Sequence, residues 1–172
     1  MVNLRETLQE AHAILEKNQI AHALIGGFAL ASHGYFRATA DIDFLADGTK
    51  AILIKRALAE RGFALIFESK EVLQFSGRGM VDIILANRPL SQEMLKQAQF
   101  DKSLQVHILR AEDLIGLKIQ AYKNDSSREL QDKADIQNLL LKPNLDLTLV
   151  QKYADLFSEW PEIEKLMKVR SS

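Results

Sequence analysis

The spacing of apolar residues changes character once along the chain, near Arg110, and this change sets what the chain can fold into. Upstream, short apolar runs of strand length alternate with helix-spaced segments; downstream only the helical period remains. Leu4, Leu8, Ala11, Leu15 and Ile20 mark a first amphipathic helix, with Asn3 and Glu6 placed as N-cap and N3 partner. Ala21–Ile25 reads as a short buried strand stopped by Gly26 and Gly27, followed by a short helix over Phe28–His33. Thr39–Ala46 alternates acids with apolar groups and predicts a strand, turned at Asp47 and Gly48. A helix is expected over Thr49–Arg61, ended by Gly62. Strands follow at Phe63–Phe67 and Val72–Phe75, the latter paired through the turn at Ser76–Gly79 with Met80–Ala86. Pro89–Gln97 predicts a short helix and Leu104–Leu109 a last strand.

Beyond Arg110 the pattern gives helices at Glu112–Tyr122, Ser127–Leu141 and Asp146–Phe157, and a final piece after Trp160 and Pro161, with Pro143 and Asn144 breaking the middle. The expected class is α+β. A mixed β-sheet flanked by helices occupies residues 1–110, and a helical segment over 111–172 closes one side of a cleft. A length of 172 residues fits one domain, or a core with an appendage.

Composition narrows the chemistry. The formal net charge is −1, so a polyanion would meet a local patch, for which Lys118, Lys123, Arg128 and Lys133 are candidates. With no cysteine there is no disulfide, thiolate zinc site, iron–sulfur cluster or cysteine nucleophile, and only oxygen and imidazole ligands remain. Apolar stretches such as Val81–Ala86 fall far short of the ~20 residues that span a bilayer, and Arg5 and Glu6 interrupt any signal-like N-terminus. A cytoplasmic protein that does not engage membranes is expected.

The acids carry the sharpest signal. Asp41 and Asp43 lie two apart on a strand, so both carboxylates leave the same face, roughly 7 Å apart along it. Asp82 interrupts the apolar run Val81, Ile83, Ile84, Leu85, where an unpaired ionised carboxylate costs several kcal/mol and demands a positive partner. Hard oxygen ligands without sulfur favour Mg²⁺ or Mn²⁺, which commonly joins protein carboxylates to substrate phosphates. Gly26 and Gly27, at a strand end opening into a helix, offer unobstructed N–H groups to a phosphate. Arg37 and Thr39 stand just before Asp41, where Arg37 can fork onto a phosphate or orient Asp41. The chemistry that uses such a set is in-line phosphoryl or nucleotidyl transfer, with Asp82 ligating a metal and able to take the nucleophile's proton.

Each feature also has a structural explanation. A Gly-Gly pair serves many tight turns, and an Asp-x-Asp strand can be a solvated face. Lys118 shares a helix face with Leu114 and Ala121 and reads either as a snorkelling stem with a wet ammonium or as a substrate contact. Arg128 and Asp132, at i and i+4, can be a surface pair. His22, His33 and His107 lack the spacing of a zinc set and read as structural histidines. Tyr153, Phe157, Trp160 and Pro161 read as packing between the last helices, and Phe36 beside Tyr35 is treated likewise.

Gly26, Gly27, Ala29, His33, Gly34, Arg37, Thr39, Asp41, Ile42 and Asp43, with Asp82 downstream, resemble the signature of the DNA polymerase beta type nucleotidyltransferase superfamily. The spacing resembles its small bacterial branch, which includes AbiEii-like toxins and lincosamide-type nucleotidyltransferases, although Gly27 stands where serine is frequent. Lys118, Arg128, Asp132 and Asp135 resemble that branch's later motif, with Gln131 where a basic residue is usual. The resemblance implies a metal-dependent enzyme moving NMP from NTP to a hydroxyl or phosphate of RNA, tRNA or a small molecule, with pyrophosphate released. Asp41, Asp43 and Asp82 would hold the metal; Gly26, Gly27, Arg37, Thr39 and Lys118 would bind the nucleotide. Two other readings stand beside it: a catalytically silent NTP-binding module, such as a toxin–antitoxin partner, and a ribonuclease H type nuclease, which the two glycines ahead of Asp41 disfavour.

Overall fold

The computed structural model describes residues 3–168. In it the chain forms two compact units, one of the residues up to Ala29 together with Phe36–Leu109, the other of Leu30–Tyr35 together with the residues from Arg110 onward. Helix α1 (Leu4–Lys17) is capped by Asn3, whose side chain accepts from the Arg5 and Glu6 amides and donates to the Glu6 carboxylate at 2.8 Å. Strand β1 (His22–Ile25) leads without a loop into helix α2 (Gly26–Ser32), which starts two residues before the expected Phe28. Gly26 makes that abrupt turn possible with a φ of +62°, a conformation costly for a residue with a Cβ.

The remaining elements of the first unit are β2 (Asp41–Asp47), a 3₁₀ turn at Gly48–Lys50, α3 (Ala51–Ala59), β3 (Ala64–Glu68), β4 (Val72–Ser76), β5 (Met80–Ala86), α4 (Pro89–Lys96), β6 (Gln99–Asp101) and β7 (Val106–Ile108). They form a seven-stranded mixed sheet of order β3-β4-β5-β2-β1-β7-β6. Strand β6 was not expected; its three residues are too few to show a period, and it exists by antiparallel pairing with β7, itself shorter than expected.

Register divides the central sheet into two unlike faces. Parallel pairing sets Ile42 beside Val81 and Phe44 beside Ile83, and antiparallel pairing adds Leu73 beside Ile83 and Phe75 beside Val81. All six side chains are fully buried, each contributing about 1.5–3 kcal/mol by leaving water, and α1 contacts β2 and β5. The alternate residues emerge on the other face. There Asp41 and Asp43 lie on β2, Asp82 lies directly beside Asp43, and Gln74 of β4 lies beside Asp82, all half-buried.

The second unit is helical: α5 (Ala111–Asn124), a 3₁₀ turn at Ser126–Arg128, α6 (Glu129–Leu139), α7 (Leu147–Asp155) and α8 (Trp160–Lys168). Asn144 takes a φ of +60° at the expected break between α6 and α7. Buried and half-buried polar ties run through this unit. Asp113 accepts from Arg110 at 2.7 Å and from the Tyr153 hydroxyl at 2.6 Å, while the Lys142 ammonium and His33 Nδ1 lie 2.6 Å apart. Among the described residues no helix is long and apolar enough to cross a membrane.

Candidate active site

Strand pairing alone brings the three acids together. Asp43 is flanked by Ile25 on β1 and Asp82 on β5, and one carboxylate oxygen from each of Asp41, Asp43 and Asp82 lies within 4.8 Å of the others. Three neighbouring carboxylates repel one another unless a cation or proton lies among them. The contact is as close as it is because position 26 is glycine: a Cβ there would overlap Asp43 Oδ2. One residue on, a Cβ on Gly27 would come within 2.6 Å of the Thr39 side chain. The Thr39 hydroxyl in turn donates to Asp41 Oδ1 at 2.9 Å. The glycine pair is therefore a close-packing requirement of the acid-bearing strand, and it joins Gly26, Gly27, Thr39, Asp41, Asp43 and Asp82 in one patch.

Asp82 is the least satisfied of the three. Its Oδ2 accepts from the Gln74 amide at 2.8 Å, whereas its Oδ1 is buried without a hydrogen-bond partner. Burial pushes its carboxyl above the ordinary range, Gln74 pulls it partly back, and the neighbouring Asp41 charge adds to the rise. A buried acceptor oxygen left unmatched costs about 1–3 kcal/mol, so this atom has the chemistry of a ligand or proton acceptor. Gln74 was not singled out in the sequence. A polar residue in the alternating run Val72–Ser76 looks like any solvent-side position, and only the β4–β5 register places it against Asp82.

Of the other expected residues, Arg37 belongs to the unit that carries the sheet, and Lys118, Arg128, Asp132 and Asp135 belong to the helical unit. Arg37 donates from Nη1 to the Ala38 carbonyl at 3.1 Å. Lys118, Arg128, Asp132 and Asp135 gather inside the helical unit. The Lys118 ammonium is neither wet nor open to solvent: it lies 3.0 Å from Asp132 and 2.6 Å from Asp135, with the residue only 8% exposed. Arg128, itself 56% exposed, reaches the second oxygen of the buried Asp132 at 3.2 Å, so the pair joins a surface cation to a buried acid. Tyr153 is packed as expected, with its hydroxyl pushed up in pKa by burial and by the Asp113 hydrogen bond.

No protein-family model matches the sequence, and neither does any curated protein. Solved structures do match. The antibiotic-resistance factor ANT(2'')-Ia, in solution, superposes with a TM-score of 0.67 at 14% identity, covering 96% of this chain and 97% of its own. A nucleotidyltransferase-like protein from Paracoccidioides brasiliensis gives 0.58 at 20% identity, covering 96% and 92%. The lincosamide antibiotic adenylyltransferase LnuA gives 0.57 at 15% identity, covering 79% and 96%. The fold is the nucleotidyltransferase fold. Its sheet presents Asp41, Asp43 and Asp82 together.

Proposed function

We propose that the protein is a nucleotidyltransferase that moves NMP from NTP to an acceptor hydroxyl or phosphate. The observation that supports this reading most is Asp82 Oδ1, buried and without a hydrogen-bond partner, among three carboxylates of which Asp43 packs against Gly26. The donor set is all oxygen, which suits Mg²⁺ or Mn²⁺, and Asp41, Asp43 and Asp82 are the residues that would hold it. When bound, such an ion supplies positive charge to the phosphates and favours the ionised form of an attacking hydroxyl.

In this reading the chain's own groups do the following. Backbone N–H groups at Gly26 and Gly27 and the Arg37 guanidinium face phosphate oxygens, and Thr39 holds Asp41 in place through its hydroxyl. Asp82 takes the acceptor's proton, a role suited to a carboxylate whose pKa burial has raised. The acceptor oxygen bonds to the α-phosphorus, the bond from that phosphorus to the bridging oxygen breaks, and pyrophosphate leaves. Lys118, engaged with Asp132 and Asp135, is assigned to holding helices α5 and α6 together, with Arg128 completing the pairing of Asp132.

ANT(2'')-Ia and LnuA point to a small hydroxylated acceptor as the first class to test. RNA, including tRNA, is the second. The decisive experiment incubates the protein with Mg²⁺ and each α-labelled NTP, offering an aminoglycoside, a lincosamide and pooled RNA as acceptors. Label entering one acceptor class with wild type, and falling at least about a hundredfold with Asp43→Asn, is the expected result; loss of a metal ligand exceeds the 10–100-fold that outer-shell partners cost. Labelling undiminished in Asp43→Asn would reject the assignment. NTP binding with no label in any acceptor would move the reading to a silent module.

A further inference from the structure

On the opposite face of the sheet from the three aspartates a second ligand set converges. His22 pairs in register with Ala46, so it shares the face of Phe44 and Ile42, whereas Asp43 shares that of Ile25. His12 and Glu16, one turn apart on α1, reach toward it, and one ligand atom from each of His12, Glu16 and His22 lies within 4.8 Å of the others. We propose that His12, Glu16 and His22 form a site for a borderline divalent cation of the Zn²⁺ class, two imidazoles and one carboxylate leaving the fourth position to water.

The two rings are already aimed for this. His22 Nδ1 lies 2.7 Å from the Ile20 carbonyl, which fixes its proton on Nδ1 and turns the Nε2 lone pair away from the backbone. That arrangement, a ligand imidazole donating its other N–H to a carbonyl, is the usual support of a metal-bound histidine. His22 Nε2 in turn lies 2.8 Å from His12 Nδ1, so the two nitrogens that would bind the ion already share one proton between them. In binding, His12 shifts that proton from Nδ1 to its own Nε2; the ring stays neutral, no proton is released, and both lone pairs face the ion.

The surroundings hold the geometry. His22 is 7% exposed and meets Phe44 edge to face at 5.4 Å, while the rings of His12 and His22 sit 5.0 Å apart. The turn between α1 and β1 passes through Gln19 with a φ of +55°, a conformation uncommon for a side chain-bearing residue, and this tight return sets His22 against His12. Burial lowers the pKa of both imidazoles despite the nearby Glu16, and this favours their neutral, lone-pair-bearing forms. Two imidazoles and a carboxylate suit Zn²⁺, Co²⁺ or Ni²⁺, whereas the all-oxygen aspartate set suits Mg²⁺ or Mn²⁺, so the two sites select different ions.

The test uses the full chain carrying Asp41→Asn, Asp43→Asn and Asp82→Asn, and in parallel the wild type with Mg²⁺ in excess, so that the aspartate set takes no Zn²⁺. Titration with Zn²⁺ is expected to show one saturable site and a rise in Tm, and Co²⁺ a tetrahedral visible spectrum. Glu16→Gln, on the exposed helix surface, and His12→Asn are each expected to weaken Zn²⁺ by at least about tenfold. In ¹⁵N spectra of the histidines, the shifts on adding Zn²⁺ should fall on His12 Nδ1 and His22 Nε2. Absence of saturable binding, binding unchanged in both variants, or shifts confined to His33 and His107 would overturn the site.

Discussion

Asp41, Asp43 and Asp82 on the sheet, and Asp132 and Asp135 among the helices, are carboxylates drawn partly or wholly out of water, yet their polar accounts are opposite. In the helical unit both oxygens of Asp132 meet a cation, Lys118 and Arg128, and Asp135 meets Lys118 at 2.6 Å. On the sheet three acids converge with a threonine and a glutamine as neighbours, and one Asp82 oxygen is left over. A fully paired cluster resists removal of any one member because a buried charge is then stranded. An incompletely paired one stores its cost at the place where something must bind. Burial and residue type alone would have rated the helical cluster the better candidate site; hydrogen-bond accounting reverses that order.

Breaking the helical side of the comparison should give the largest effect. Lys118→Met strands Asp132 and Asp135 in the interior, and we expect a loss of about 3–5 kcal/mol in urea unfolding. A loss under ~1 kcal/mol would mean that the cluster rearranges and does not fasten α5 to α6. On the sheet, Gln74→Leu removes the hydrogen bond that Asp82 Oδ2 accepts, at a cost of about 1–3 kcal/mol in stability, less than the loss expected from Lys118→Met. We expect kcat to fall about 10–100-fold, as for loss of an outer-shell partner. Because Gln74 lowers the Asp82 pKa, the acid limb of the pH–rate profile should move to higher pH; a KM change with an unmoved limb would count against Asp82 as the proton acceptor.

Much of this was legible in the sequence because it is local. Period two placed Asp41 and Asp43 on one face, and the apolar run around Asp82 marked it as an acid in need of a partner. Register is not local, and it decides the rest. Gln74 joins the site only through β4–β5 pairing, and His12 meets His22 only because α1 folds back on β1. The same holds for Leu30–Tyr35, a stretch of the expected core that groups with the helical unit and is tied there through His33 and Lys142. Lys118 showed a helical face but not what opposed it, so burial against two aspartates could not be told from snorkelling.

A smaller effect sharpens the contrast by its sign. Asp82→Asn keeps the Gln74 contact available and removes a charge whose Oδ1 is buried without a hydrogen-bond partner, so in EDTA we expect a gain of about 1–2 kcal/mol in stability, together with loss of transfer activity. No such gain is expected from Asp135→Asn, which breaks a paired charge. Should both variants destabilise equally, the two clusters would be alike in their accounts, and the comparison would fail.

The smallest effect concerns Glu159, a carboxylate of the helical unit that is paired but closer to solvent. Burial works to raise its pKa, and hydrogen bonds from Lys123 and the Tyr122 hydroxyl, both at 2.7 Å, outweigh it and hold the carboxyl below its ordinary value of 4.5. A folded-state pKa below the unfolded one means that this acid stabilises the fold above about pH 4.5 and loses its contribution as the pH falls through the folded value. Because Lys123 is 42% exposed, screening keeps the contribution to at most about 1 kcal/mol. Glu159→Gln should therefore lower the urea midpoint slightly at pH 7, with the gap to wild type closing below pH ~4. A gap that persists unchanged at pH 3 would assign the effect of Glu159 to packing and not to its charge.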